Sequence, residues 1–361
     1  MLRYIINKNY ILLFIIFTSC VHKKEAPLND FQKQIKKLVE KSETTLDLFE
    51  KIDTIFLHIS SDSLDSSPLI KFSSGGFVLA NPYLKTIYKF DRNGKVLNHF
   101  GADGSGPGEF RSIISFDIDE NDNIYVYDHL LSQVTKFDKF GELIYQQKVI
   151  KNNQTVRHIC ALNSKFYLHH APLDANGYYI SVYDSSGFIS SFHRADPNYR
   201  SYYMRGFLDG GLVSDKKNMT IYEVNCYKCT IHKISKGKES DIGECPENYE
   251  KLKKIKATKY EVITDAYLES TIPQNIFIVS NKRLLLQEYL KIDRNNPHGS
   301  VRFFQVYDTN GVFLGKVKIS EQNLFLDSDG NYLLEYFEPK NFPMMKFKKP
   351  YPFIIIYKIR T

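Results

Sequence analysis

The chain has 361 residues, a formal net charge of +7, 25 Tyr, 26 Phe and no Trp. Its first 19 residues hold two basic side chains, Arg3 and Lys8, and no acid, so their removal leaves +5. That balance is modest for the size of the chain, and a chain exported by such a start, as read next, is expected to have no nucleic-acid partner.

Arg3 and Lys8 form a basic start, Tyr10 to Phe17 is a short apolar run, and Thr18-Ser19-Cys20 follows as a small-residue cleavage site. This pattern predicts a signal peptide over 1–19 that is too short to span a bilayer comfortably. A Cys directly after small residues resembles a lipoprotein lipobox, although Phe17 stands where Leu is usual. The resemblance implies that Cys20 is acylated, with 20–52 as lipidated tether and linker and the mature domain held on a membrane. The expected address is the cell envelope, at the outer membrane facing the periplasm or the cell surface. Ile35, Leu38, Leu46, Leu48 and Phe49 are loosely periodic, compatible with a short helix or an irregular linker. Asp53 to Ile59 reads as a strand.

From there a unit repeats. Tyr88-Lys89-Phe90-Asp91-Arg92-Asn93-Gly94 is an apolar strand ending in an aromatic residue, then an acidic-to-glycine turn. Copies follow at Phe137-Asp138 to Gly141, Val182 to Gly187, Ile231 to Gly237 (the weakest) and Val306 to Gly311. A last copy, Ile356 to Ile359, has no turn. Successive markers lie 47, 46, 51, 73 and 50 residues apart. Within one period, Ile114 to Ile144 holds four short strands separated by turn chemistry. Asp caps local N–H groups and Gly supplies positive φ. Six markers with one long insertion, 241–273, predict an all-β, six-bladed β-propeller over 53–361. The absence of Trp argues against WD repeats. The Asp53 strand is expected to close the ring by joining the C-terminal blade.

Phe116-Asp117-Ile118-Asp119 through Asn123 to Asp128 resembles an NHL-type repeat, as does Leu326 to Leu334. Gly104 to Phe110 is similar to the glycine-rich inter-blade linker of that family. With the N-terminus, the whole resembles the bacterial six-bladed β-propeller lipoproteins. Some six-bladed relatives in the wider fold are metal-dependent lactonases or lyases. The resemblance therefore leaves a metal-dependent hydrolase or lyase, with its ion in the central channel, as the alternative to a binding module.

The residues themselves supply no catalytic constellation, metal set or cofactor motif. Ser, His and Asp never fall in a nucleophile-elbow context. His169-His170 read as loop residues near Asp174. Asp117 to Asp122 lacks the glycine and final Glu of a calcium loop and reads as a blade turn. Of the cysteines after Cys20 (Cys160, Cys226, Cys229 and Cys245), Cys226 and Cys229 have the spacing of a redox or metal pair. They lie in a strand or hairpin of blade 4, so a structural disulfide or buried thiols are expected.

Strand order separates two faces. The short acidic turns lie on one, and the long connections between second and third strands and between blades lie on the other. Variable loops on a rigid scaffold are where binding usually resides. A protein or glycan ligand is therefore expected at the long-loop face, with Tyr83, Arg111, His129, His170, Arg205 and His298 as candidate contacts.

Overall fold

The computed structural model describes residues 27–59, 68–149, 154–172, 177–203, 210–254, 259–292, 300–320, 325–330, 332–337 and 351–360. Cys20, Arg205, His298 and Asp174 lie outside them.

Among the described residues six four-stranded antiparallel sheets form, each a blade. Blade 1 holds β2 (Leu69–Ser73), β3 (Gly76–Asn81), β4 (Thr86–Asp91) and β5 (Val96–Phe100). Blade 2 holds β6 (Ile113–Ile118), β7 (Ile124–Asp128), β8 (Gln133–Phe137) and β9 (Leu143–Lys148). Blade 3 holds β10 (Gln154–Leu162), β11 (Lys165–Pro172), β12 (Tyr178–Asp184) and β13 (Gly187–Arg194). Blade 4 holds β14 (Gly211–Asp215), β15 (Thr220–Val224), β16 (Ile231–Ser235) and β17 (Lys238–Ile242). Blade 5 holds β18 (Thr271–Val279), β19 (Leu284–Lys291), β20 (Val301–Asp308) and β21 (Phe313–Lys318). Blade 6 holds β22 (Phe325–Asp329), β23 (Tyr332–Phe337), β24 (Phe353–Ile359) and, outermost, β1 (Phe49–Phe56). The first strand of every blade contacts the first strand of the next, and β22 contacts β2, so the ring is closed.

The closing strand is the one expected, but it begins earlier. Phe49 pairs with Ile359 and Phe56 with Phe353, so β1 takes in four residues that read as linker and stops before Leu57. The preceding segment also packs down. Helix α1 (Asp30–Lys41) starts in a capping box between Asn29 and Gln32 and buries Ile35 and Val39. Val39 lies against β21 at Gly315, where a Cβ would come within 2.6 Å of its Cγ1. The one-turn helix α2 (Thr45–Leu48) then leads into β1.

The repeated turn has one geometry. Asp91, Asp138 and Asp308 each accept two backbone N–H groups on Oδ1, from the residues two and four positions later, at 2.8–2.9 Å. Gly94, Gly141 and Gly311 close these turns at φ of 81°, 90° and 90°. Blade 4 replaces this turn with Lys236-Gly237, both at positive φ, which explains why its marker is weak.

Blades pack through apolar faces. Between blades 1 and 2, for example, Val78, Ala80 and Ile87 meet Phe110, Ile113, Phe116 and Phe137. The 241–273 insertion contains one helix, α4 (Tyr260–Leu268), which buries Ile263 and Ala266 in the core shared by blades 3 and 4. No helix among the described residues is long and apolar enough to cross a membrane.

Candidate functional site

The inner strands line a central channel, and its middle is charged. Lys71 on β2 reaches Asp117 on β6 at 3.2 Å and Asp327 on β22 at 3.4 Å. The other oxygen of each carboxylate accepts a backbone N–H from the following blade. Ala161 donates to Asp117 at 2.7 Å and Phe72 donates to Asp327 at 2.8 Å. Ser115 Oγ likewise accepts from Ile159 of the following blade, and Ser328 Oγ accepts from Ile278 of the preceding one. Burial alone would lower the Lys71 pKa, but the two carboxylates outweigh it and hold the ammonium charged. Burial pushes Asp117 up, yet Lys71 and then Lys216 bring it below the usual carboxylate range. Asp327 ends above that range, because burial outweighs Lys71. Cys160, buried beside this cluster, has its thiol pushed well up by burial and by Asp117, so it is held protonated rather than as a nucleophilic thiolate.

This cluster divides the channel into two mouths. On the short-turn face a cavity of about 360 Å³ is lined by the first turns of the blades, with Lys216 and Lys217 facing Glu120, Asp122 and Asp329. On the long-loop side a second cavity of about 230 Å³ is lined by Leu69, Phe116, His158, Leu212, Asn275 and Phe325. Among the described residues no three His, Cys, Asp or Glu side chains are arranged to hold a metal ion.

Tyr83, in the β3–β4 connection, is 74% exposed. Asn81 Oδ1 fixes that turn by accepting the Tyr83 and Leu84 N–H groups, both at 3.0 Å. Arg111 and His129 lie next to each other. The buried Asp128 accepts from the N–H groups of Arg111, Ser112 and Leu131 at 2.6, 3.0 and 2.7 Å, and His129 N donates to Ser112 O at 2.9 Å. His170 departs from its expected setting. It is not in a loop but on β11, 3% exposed, because β11 continues to Pro172. Neither of its ring nitrogens has a hydrogen-bond partner among the described residues. Burial, with a smaller contribution from His169, pushes its pKa down to about 3. The three described loop candidates thus sit on adjacent blades 1 and 2, apart from His170 on blade 3.

Two features escaped the sequence reading. One is the Asp117–Lys71–Asp327 cluster. Its signal was the equivalent position of Asp117 and Asp327 in two repeats, each two residues before a turn Asp. The other is a polar network between blades 3 and 4. The fully buried Glu223 receives His169 Nε2 at 3.2 Å and His193 Nδ1 at 2.7 Å. His193 stacks on His232 with ring centroids 4.1 Å apart, and His232 contacts Asp241 at 2.9 Å and Glu239 at 3.0 Å. Burial raises the Glu223 pKa, but His193 and His169 more than reverse this and hold it ionised. These residues span 73 positions of chain and share no motif.

The disulfide is also not the CxxC pair. Cys229 bonds Cys245, 16 positions on, while Cys226 and Cys160 are buried outside it. The β15–β16 hairpin turns Cys226 into the core of blades 3 and 4 and leaves Cys229 toward the blade 4–5 link.

No curated protein matches the sequence. Among solved structures, the chain is similar to a protein from Bacteroides fragilis NCTC 9343 described as exported. They share 14% identity at a TM-score of 0.64, covering 88% of this chain and 97% of the other. It is also similar to a duf4221 family member from Bacteroides vulgatus, at 12% identity and a TM-score of 0.61, covering 87% and 99%. Both likenesses are of fold. A family model described as a 6-bladed β-propeller matches residues 24–320, and with the six closed blades this places the chain in the DUF5128 family of six-bladed β-propellers.

Proposed function

We propose that this protein is an exported, lipid-anchored propeller that works as a binding or scaffolding module and takes a protein or glycan ligand on its long-loop face. The observation that carries the reading is the surface over blades 1 and 2. Tyr83 and Leu130 are 74% and 61% exposed there, beside the exposed Arg111. Buried Asn81 and Asp128 hold all three connections rigid. Exposed Tyr, Leu and Arg on pre-ordered loops suit partner recognition, because little ordering entropy is lost on binding. The charged channel middle is engaged in joining blades, which favours the face over the channel as the contact surface. The signal-like N-terminus and the exported neighbour support the envelope address.

The test compares the wild-type chain with a Tyr83→Ala, Arg111→Ala double variant on a glycan array and in capture from an envelope extract. A ligand held by the wild type should bind the variant at least about tenfold more weakly, roughly 1.4 kcal/mol, with an unchanged unfolding midpoint. Equal retention by the variant, or release of the ligand chemically altered, overturns the reading.

A further inference from the structure

The N-terminal segment enters the propeller at one particular face. Phe31, at the start of α1, lies under Lys282 Nζ, which is 6.0 Å from its ring centroid. Gln32 Nε2 donates to Asp308 Oδ2 at 2.5 Å. Lys282 belongs to the β18–β19 turn and Asp308 begins the β20–β21 turn, and both turns are on the short-turn face. From Cys20 to Asn29 is nine residues, a reach of about 30 Å at most. Strands of the blades span about 20–25 Å between faces. A tether running back to the long-loop face would use about two-thirds or more of that reach. The direct route along the outside of blade 5 is also filled, because α1 itself packs on β21.

The short-turn face carries matching chemistry. Phe140, at the tip of the β8–β9 turn, is 65% exposed, with Lys139 Nζ 5.1 Å from its ring centroid. On turns of the same face the exposed bases Arg92, Lys95, Lys217, Lys236 and Arg283 outnumber the exposed acids Glu120, Glu142 and Asp329. An exposed aromatic ring on a face with an excess of exposed bases suits the boundary between headgroups and acyl chains of an anionic bilayer.

We propose that the short-turn face is the membrane-proximal face, lying against the bilayer with Phe140 in the interface and the long-loop face pointing away. This rests on acylation of Cys20. It places Tyr83 and Arg111 where a partner can reach them and turns the lysine- and carboxylate-lined cavity toward the headgroups.

The chain has no Trp, so a single introduced indole reports without background. Full-length Phe140→Trp and Tyr83→Trp proteins would be purified from membranes and reconstituted into phosphatidylethanolamine–phosphatidylglycerol vesicles with brominated acyl chains. Mass spectrometry of the N-terminal peptide would be run on the same preparations. The expected result is an acylated Cys20, indole emission quenched roughly twofold or more in the Phe140→Trp protein, and unchanged emission in the Tyr83→Trp protein. An unacylated Cys20 removes the anchor and the orientation with it. Acylated protein in which Tyr83→Trp is quenched as much as Phe140→Trp, or in which neither is quenched, overturns the orientation and leaves the anchor standing.

Discussion

Asp117 Oδ2 accepts the backbone N–H of Ala161 at 2.7 Å, so a side chain of blade 2 holds the inner strand of blade 3. Its other oxygen meets Lys71 of blade 1 at 3.2 Å, and one carboxylate thereby joins three blades. Asp117→Ala removes the staple and half of the Lys71 compensation, and should cost about 3 kcal/mol. Asp117→Asn should cost less, about 1–2 kcal/mol, because an amide oxygen can still accept from Ala161 while Lys71 keeps Asp327. Urea unfolding of both variants measures the difference, and equal losses would argue against the staple.

Stability should fall between pH 7 and pH 5, with His170 as a main cause. Its folded pKa is pushed down to about 3, so below about 6.5 the unfolded chain takes up a proton that the folded chain refuses. Folding therefore weakens as pH falls, by about 1.4 kcal/mol per unit and about 2 kcal/mol at pH 5. Asp117 and Glu223 act lower. Their depressed folded values contribute stability that is fully present above about pH 5 and lost progressively beneath it. His170→Leu should flatten the pH 7 to 5 slope, read by denaturant midpoints at both values. An unchanged slope would show that His170 keeps its proton equilibrium on folding.

Removing β1 should open the ring. β1 supplies the outer strand of blade 6 from Phe49 to Phe56, and without it β24 presents an unpaired edge. A chain starting at residue 60 is expected to aggregate, seen as loss of the monomer peak in size-exclusion chromatography. Ile55→Asp in the full chain keeps the backbone pairing but buries a charge at a 7% exposed position, and should lose about 3 kcal/mol.

Peptide mapping without reduction should find Cys229 joined to Cys245. Closing a loop of 16 residues stabilises the fold by about 3 kcal/mol, so Cys229→Ser and Cys245→Ser should each lose a similar amount. Cys226→Ser should leave that bond intact. A Cys226–Cys229 peptide would contradict the pairing.

The sequence by itself determined the blade count, whereas closure of the ring was an expectation from the fold that the pairing of β1 with β24 bears out. Turn chemistry is local: an Asp side chain caps N–H groups two and four residues later, and a glycine takes positive φ. Both signals therefore sit within five residues and repeat with the blade. The same locality explains the boundary error at Phe49. Residues 49–52 become strand only because β24 lies beside them, and nothing in Phe49-Glu50-Lys51-Ile52 alone demands it. Tertiary structure alone decided the cysteine pairing, the burial of His170 and the His–Glu network, since each depends on which side of a blade faces its neighbour. Glu223, His169 and His193 lie on three strands of two blades and meet only after those blades pack. Lys71, Asp117 and Asp327 converge for the same reason: closure brings the first, second and sixth inner strands around one axis, so residues 256 positions apart in the chain come to share one charge cluster.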